Sequence, residues 1–135
     1  MRRRLILIVD DNLSSTDTLE LALMDLDGFE TSAAIDGGRA WKFIQSLEVD
    51  RLAAVVTDLH MPAMDGFELI ARIRSDARYA HLPILVVSAT TDPSAPQRVL
   101  DLGADAFIPK PWSPLKLRSR LEHLLYGESA KRNLP

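Results

Sequence analysis

Apolar residues fall into short unbroken runs that alternate with longer stretches where they recur every three or four positions. The run at 5–9 is continuous and rich in branched aliphatics, the pattern of a strand covered on both faces. Leu19, Ala22, Leu23 and Leu26 then recur at helical spacing. Ser14 reads as the cap of that helix, with Asp17 three residues on as its capping acid, and Gly28 as its end. A weaker strand pattern covers 30–34. Gly37-Gly38 break the chain before a second helical face of Ala40, Phe43, Ile44 and Leu47. Further strand runs lie at 52–57, 84–87 and 106–108. Between them, Phe67, Ile70, Ala71 and Ile73 mark a third helix. A shorter fourth covers 97–102 and stops at Gly103. Leu115, Leu117, Leu121, Leu124 and Leu125 form a last helix starting near Ser113, with Pro114 in its first turn.

A strand and a helix therefore alternate five times. Strands without polar alternation need cover on both sides, which implies a parallel sheet between helix layers. Right-handed crossovers make this an α/β, doubly wound, five-stranded parallel sheet flanked by five helices, a (βα)5 flavodoxin-like fold. Such folds place their sites beyond the carboxyl ends of the strands, at the topological switch point.

Composition narrows the picture. A chain of 135 residues suits one core. No cysteine is present, which excludes disulfides and thiolate metal sites. A net charge of -3 gives no basic surplus, so direct nucleic-acid contact is not expected. The opening Met1-Arg2-Arg3-Arg4 precedes an apolar run too short for a secretory signal, and Asp10-Asp11 interrupts it. No stretch approaches the roughly 18 apolar residues that span a bilayer. These features point to a cytoplasmic protein without membrane contact. No internal repeat or linker divides the chain. The expected organisation is one domain over 1–126 and a polar tail over 127–135, in a stand-alone protein or a piece cut after its first domain.

Chemistry-bearing residues sit at the strand ends. The first strand leads into Asp10 and Asp11, the third into Asp58, the fourth into Ser88 and the fifth into Lys110. In a parallel sheet these ends share one edge. Three carboxylates at close range repel one another and call for a cation. Oxygen ligands without His or Cys suit Mg2+ or Mn2+. One carboxylate is then free to act as nucleophile toward phosphorus, with lysine and serine as donors to phosphoryl oxygens.

Asp10-Asp11, the segment Val56-Thr57-Asp58-Leu59-His60-Met61-Pro62-Ala63-Met64-Asp65-Gly66, Ser88-Ala89 and Lys110-Pro111 together resemble the receiver domain of two-component response regulators. The resemblance covers roughly residues 4–126, in the family's order, and extends to regulators of the chemotaxis type. It implies a phosphorylation-activated switch that takes a phosphoryl group from a sensor histidine kinase or a histidine phosphotransfer protein. Asp58 would be the acceptor. Asp11 and Asp58 would bind Mg2+ directly, Asp10 mostly through water, and the His60 backbone carbonyl would be a further ligand. Lys110 would pair with the phosphoryl group across a cis bond to Pro111. Ser88 would move to hydrogen-bond it, and Phe107 would be the switch aromatic. The protein would act on an effector or fused output domain, catalysing only its own phosphorylation and dephosphorylation. A homodimer through the face of the fourth helix, fifth strand and fifth helix is a further implication.

The chain departs from the family pattern at His60, where smaller or polar residues are common, and in carrying Thr90 two residues after the switch hydroxyl. Both positions bear on the lifetime of the phosphorylated form. Trp112 stands where Phe is frequent, and Pro93 and Pro96 border the fourth helix, so the family's dimer habits do not transfer directly.

Each feature alone has a plainer reading. Asp10 and Asp11 suit a helix cap, Asp58 a turn, Ser88 a satisfied hydroxyl, Phe107 an ordinary core aromatic and Lys110 a solvated charge. His81 and His123 read as surface residues, and Trp41 as core or interface. Two other functions share the architecture. A haloacid-dehalogenase-like phosphatase would want an Asp-x-Asp nucleophile on the first strand, whereas here the acids are adjacent and followed by Asn12. A flavodoxin-like cofactor module would want a Ser/Thr/Gly-rich phosphate loop where Asp10-Asp11-Asn12 stand.

Overall fold

A computed structural model describes residues 3–132, with side chains as far as 127. Met1, Arg2 and the last part of the expected tail, 133–135, lie outside the described residues. The elements alternate as expected: β1 (Arg4–Val9), α1 (Leu13–Leu23), β2 (Phe29–Ala34), α2 (Gly37–Ser46), β3 (Leu52–Thr57), α3 (Gly66–Ser75), β4 (Ile84–Ser88), α4 (Ala95–Leu102), β5 (Ala106–Pro109) and α5 (Pro114–Arg132). Short 3-10 turns precede β3 and β4.

The strands pair in the order β2-β1-β3-β4-β5, every ladder parallel. Successive β1 residues feed two cores. Leu5, Leu7 and Val9 pack with Val55, Ile84 and Val86 beneath Ala40, Ile44, Leu69, Ile70, Ile73 and Val99 of α2, α3 and α4. Ile6 and Ile8 pack with Ala54, Val56, Leu85 and Val87 beneath Leu19, Leu23, Leu117 and Leu121 of α1 and α5. Cover on both faces is why these strands show no polar alternation. β2 is the exception: as an edge strand it is half-buried for most of its length, which explains its weak apolar pattern.

Some local expectations need correction. Asn12, not Ser14, caps α1, because its side-chain oxygen accepts from the Ser15 N–H at 3.0 Å. Ser14 therefore lies inside the first turn, and Asp17 cannot be its capping partner. The helix closes at Leu23 rather than at Gly28. Leu26 is buried beyond its end, and Gly28, at φ +86°, shapes the entry to β2. Gly37-Gly38 open α2 instead of breaking the chain. A Cβ on Gly37 would sit 2.5 Å from the Met64 carbonyl oxygen, so only glycine lets the two loops meet there. The Ser113 hydroxyl accepts from Lys116 N–H at the start of α5. That helix continues through the polar stretch after Tyr126 to Arg132.

At the amino-terminal edge of the sheet, Arg74 ties three elements together. Its guanidinium donates to Gly103 O at 2.8 Å, Tyr79 O at 2.9 Å and Asp105 Oδ2 at 3.2 Å. Asp105 Oδ2 also accepts from Ile84 N–H. The opposite edge is thus the one left open for chemistry.

Candidate functional site

The chain runs from β1 out to β2, then back across β1 to β3, so the switch point lies between β1 and β3. Val9 is level with Thr57 in the ladder, and Asp58 N–H donates to Val9 O at 2.9 Å. Register alone therefore delivers Asp10 and Asp58 side by side. On the other flank Ser88 is level with Pro109, and Lys110 N–H donates to Ser88 O at 2.9 Å. Four strand ends converge as the spacing implied.

The centre is the Lys110 ammonium. It donates to Asp58 Oδ2 at 2.9 Å, Asp10 Oδ2 at 3.1 Å and Ser15 Oγ at 3.3 Å. Asp10 is only 2% exposed and Asp58 13% at its side chain. Burial opposes the lysine's charge, but the hydrogen bonds and charges of Asp58 and Asp10 outweigh it and hold Lys110 above its ordinary range. The remaining oxygens are occupied too. Asp10 Oδ1 accepts from Asn12 N–H at 2.9 Å, and Asp58 Oδ1 from Leu59 N–H at 2.6 Å. The Lys110-Pro111 bond is cis, as the resemblance implied.

The plainer readings fail for two of these groups. Neither Asp10 nor Asp11 caps α1, since Asn12 does. Lys110 is no solvated charge. Ser88 is buried, and its hydroxyl accepts from Thr90 N–H at 3.2 Å, a satisfied state. Phe107 is half-buried against the α2–α3–α4 core. Asp11 and His60 are exposed at the rim. From Ser88 on, alternate side chains hold the backbone two residues further along. Asp92 N–H donates to Thr90 Oγ1 and Ser94 N–H to Asp92 Oδ1. Asp92 is held below the ordinary carboxylate range, first by its Ser94 hydrogen bonds and more weakly by the charges of Arg98 and His60.

The acidic trio is not gathered as one cage. Among the described residues no three His, Cys, Asp or Glu side chains group so that they could hold a metal ion. Asp10 and Asp58 do share one cation already, the Lys110 ammonium, so both carboxylates reach a common positive centre. Their all-oxygen chemistry fits Mg2+ or Mn2+, and Asp11, next in the chain to Asp10, is exposed. Ser15 escaped the sequence reading. It comes into range because α1 begins directly after Asn12, which turns the third residue of the helix back over the strand ends.

Residues 6–122 match the family model of the response regulator receiver domain. The chain belongs to the response-regulator receiver family. Among similar proteins, the response regulator GtcR of Aneurinibacillus migulanus is 37% identical over 117 residues, covering 87% of this chain and 46% of that protein. The response regulator MprA of Mycolicibacterium vanbaalenii is 38% identical over 120 residues, covering 89% and 49%. The receiver thus spans about half the length of such relatives. Among solved structures, the chemotaxis response regulator CheY4 of Vibrio cholerae superposes with a TM-score of 0.80 at 31% identity, covering 91% of this chain and 99% of that one. A response regulator receiver protein from Pseudomonas putida gives 0.79 at 33% identity, covering 90% and 98%. Among the described residues, no helix of the receiver is long and apolar enough to cross a membrane.

Proposed function

We propose that this receiver is a switch set by transfer of a phosphoryl group from a phosphohistidine of a kinase or phosphotransfer protein to Asp58. The observation that carries the reading is the bridge from Lys110 to Asp58 and Asp10. It holds one nearly buried acceptor carboxylate beside a cation that can follow the incoming charge. Leu59 N–H and Lys110 orient both Asp58 oxygens before any donor arrives. One of these oxygens attacks phosphorus, an O–P bond forms, and the P–N bond of the donor imidazole breaks. Lys110 then pairs with the new phosphoryl oxygens. Ser88 exchanges its Thr90 N–H for a phosphoryl oxygen, turning from acceptor to donor. Phe107, level with Val86 on the neighbouring strand, turns inward with it. Asp11, Asp58, Asp10 and the His60 carbonyl would hold Mg2+ or Mn2+. Bound there, the ion would offset the charge of carboxylates and phosphate together.

The readout is a changed face over α4, β5 and α5, read by an effector or output domain in the cytoplasm or by a second copy of the receiver. The haloacid-dehalogenase-like alternative would want its nucleophile on β1, whereas Asp58 follows β3. Incubating the receiver with a small phosphodonor and Mg2+ separates the two. The expected result is one phosphoryl group per chain with no continuing turnover of a phosphate ester. Sustained ester hydrolysis would favour the enzyme.

A further inference from the structure

We propose that Ser15 is a positioning residue, the third arm of a mount that fixes the Lys110 ammonium beside Asp58. The proposal rests on the phosphoacceptor reading above. An ammonium has three N–H donors and no acceptor. Lys110 meets one acceptor for each: Asp58 from the end of β3, Asp10 from the end of β1 and Ser15 from the first turn of α1. Three acceptors on three elements define both the place and the rotation of the group.

Ser15 is itself held. Its N–H is tied to Asn12 Oδ1 at 3.0 Å, within the cap that starts the helix, and the residue is half-buried. The two carboxylates pull on Lys110 unequally. Asp10 is the more deeply buried and has no part as phosphoryl acceptor, so an ammonium with its third N–H in solvent is free to drift between the two carboxylates. The Ser15 hydroxyl, from a different element, restrains that drift. It also remains in place when Asp58 is converted to the acyl phosphate, so Lys110 keeps one neutral anchor while it follows the phosphoryl oxygens. Among the described residues, Ser15 is the hydroxyl that accepts from this ammonium.

The test compares Ser15→Ala and Ser15→Thr with the unaltered receiver. Phosphorylation by a small phosphodonor with Mg2+ is followed over a range of donor concentrations. The Lys110 ammonium is followed by 15N NMR without donor or metal and assigned by its loss in Lys110→Arg. Ser15→Ala is expected to slow phosphorylation at saturating donor by about three- to tenfold, the scale of one hydrogen bond to a charged group. The half-saturating concentration should change less than about twofold. The ammonium resonance should be lost to solvent exchange, and Ser15→Thr should restore both rate and resonance. An Ala variant that keeps rate and resonance overturns the proposal, as does a loss that Thr fails to rescue. If the unaltered receiver takes up no phosphate, the phosphoacceptor reading falls, and the ammonium resonance alone decides the role of Ser15.

Discussion

At Lys110 one positive charge holds two carboxylates, leaving the group of three at net negative charge when all are ionised. Removing the lysine leaves Asp10 and Asp58 facing each other without a shared cation. Neutralising Asp58 instead leaves a balanced pair. Loss of one partner from a buried ion pair costs about 3–5 kcal/mol. With Lys110 partly open to solvent the cost falls to the bottom of that range or below it. Lys110→Ala should therefore destabilise the receiver by about 2–3 kcal/mol at neutral pH, whereas Asp58→Asn should change stability by less than about 1 kcal/mol. Urea denaturation without divalent metal measures both. Equal losses would mean that the ammonium is not the keystone of the site. Asp58, Ser88 and Lys110 were legible one by one as strand-end residues, because each closes an apolar run. Their central arrangement was not. Sequence reading paired Lys110 with the phosphoryl group, and the geometry shows its ammonium already bridging Asp58 and Asp10.

Between β3 and α3, the loop carrying Asp58 closes on itself through glycine. Gly66 N–H donates to Leu59 O at 2.9 Å, and a Cβ on Gly66 would lie 2.2 Å from Asp58 O and 2.8 Å from Leu59 Cα. Ala63 takes a left-handed conformation at φ +64° within the same turn. Because the clash is with backbone, Gly66→Ala should cost about 2–4 kcal/mol and displace the Asp58 carbonyl. Gly127 in α5 has nothing within 4 Å of an added Cβ, so Gly127→Ala should be neutral or stabilising by up to about 1 kcal/mol. Thermal unfolding of the two variants checks the contrast, and similar effects at both positions would refute the close approach. Helix starts were the least legible feature of the elements. Asn12 and Ser14 are both good caps, and sequence offers no way to choose between them until β1 fixes where the chain must turn. Gly37 read as a break and Gly66 only as the end of a motif, but the role of both is to admit neighbouring backbone, which no local pattern reveals.

For the molecule as a whole, the two-sided sheet was readable from the unbroken strands, and the strand order brings the chemistry to a single edge. Titration also acts at this scale. Lys110 is held above its ordinary range as described, and burial raises the Tyr79 phenol. For both groups the protonated form is favoured by folding. Their contribution is fully present below the unfolded-state value and is lost as pH rises through the folded one. Stability should hold from neutral pH to about 9 and fall above about 10. Tyr79→Phe should remove part of that slope. Denaturant midpoints across this range test it, and a flat profile to pH 11, within the span where both groups should titrate, would count against the shared Lys110 bridge.

The most direct test is to locate the phosphate. The receiver is incubated with a small phosphodonor and Mg2+, the acyl phosphate is reduced with borohydride, and the altered residue is found by peptide mass mapping. The expected result is a single modified position, Asp58, with no modification in a folded Asp58→Asn variant. Modification of Asp10 or Asp11 instead, or equal labelling of the variant, would contradict the assignment of Asp58 as acceptor.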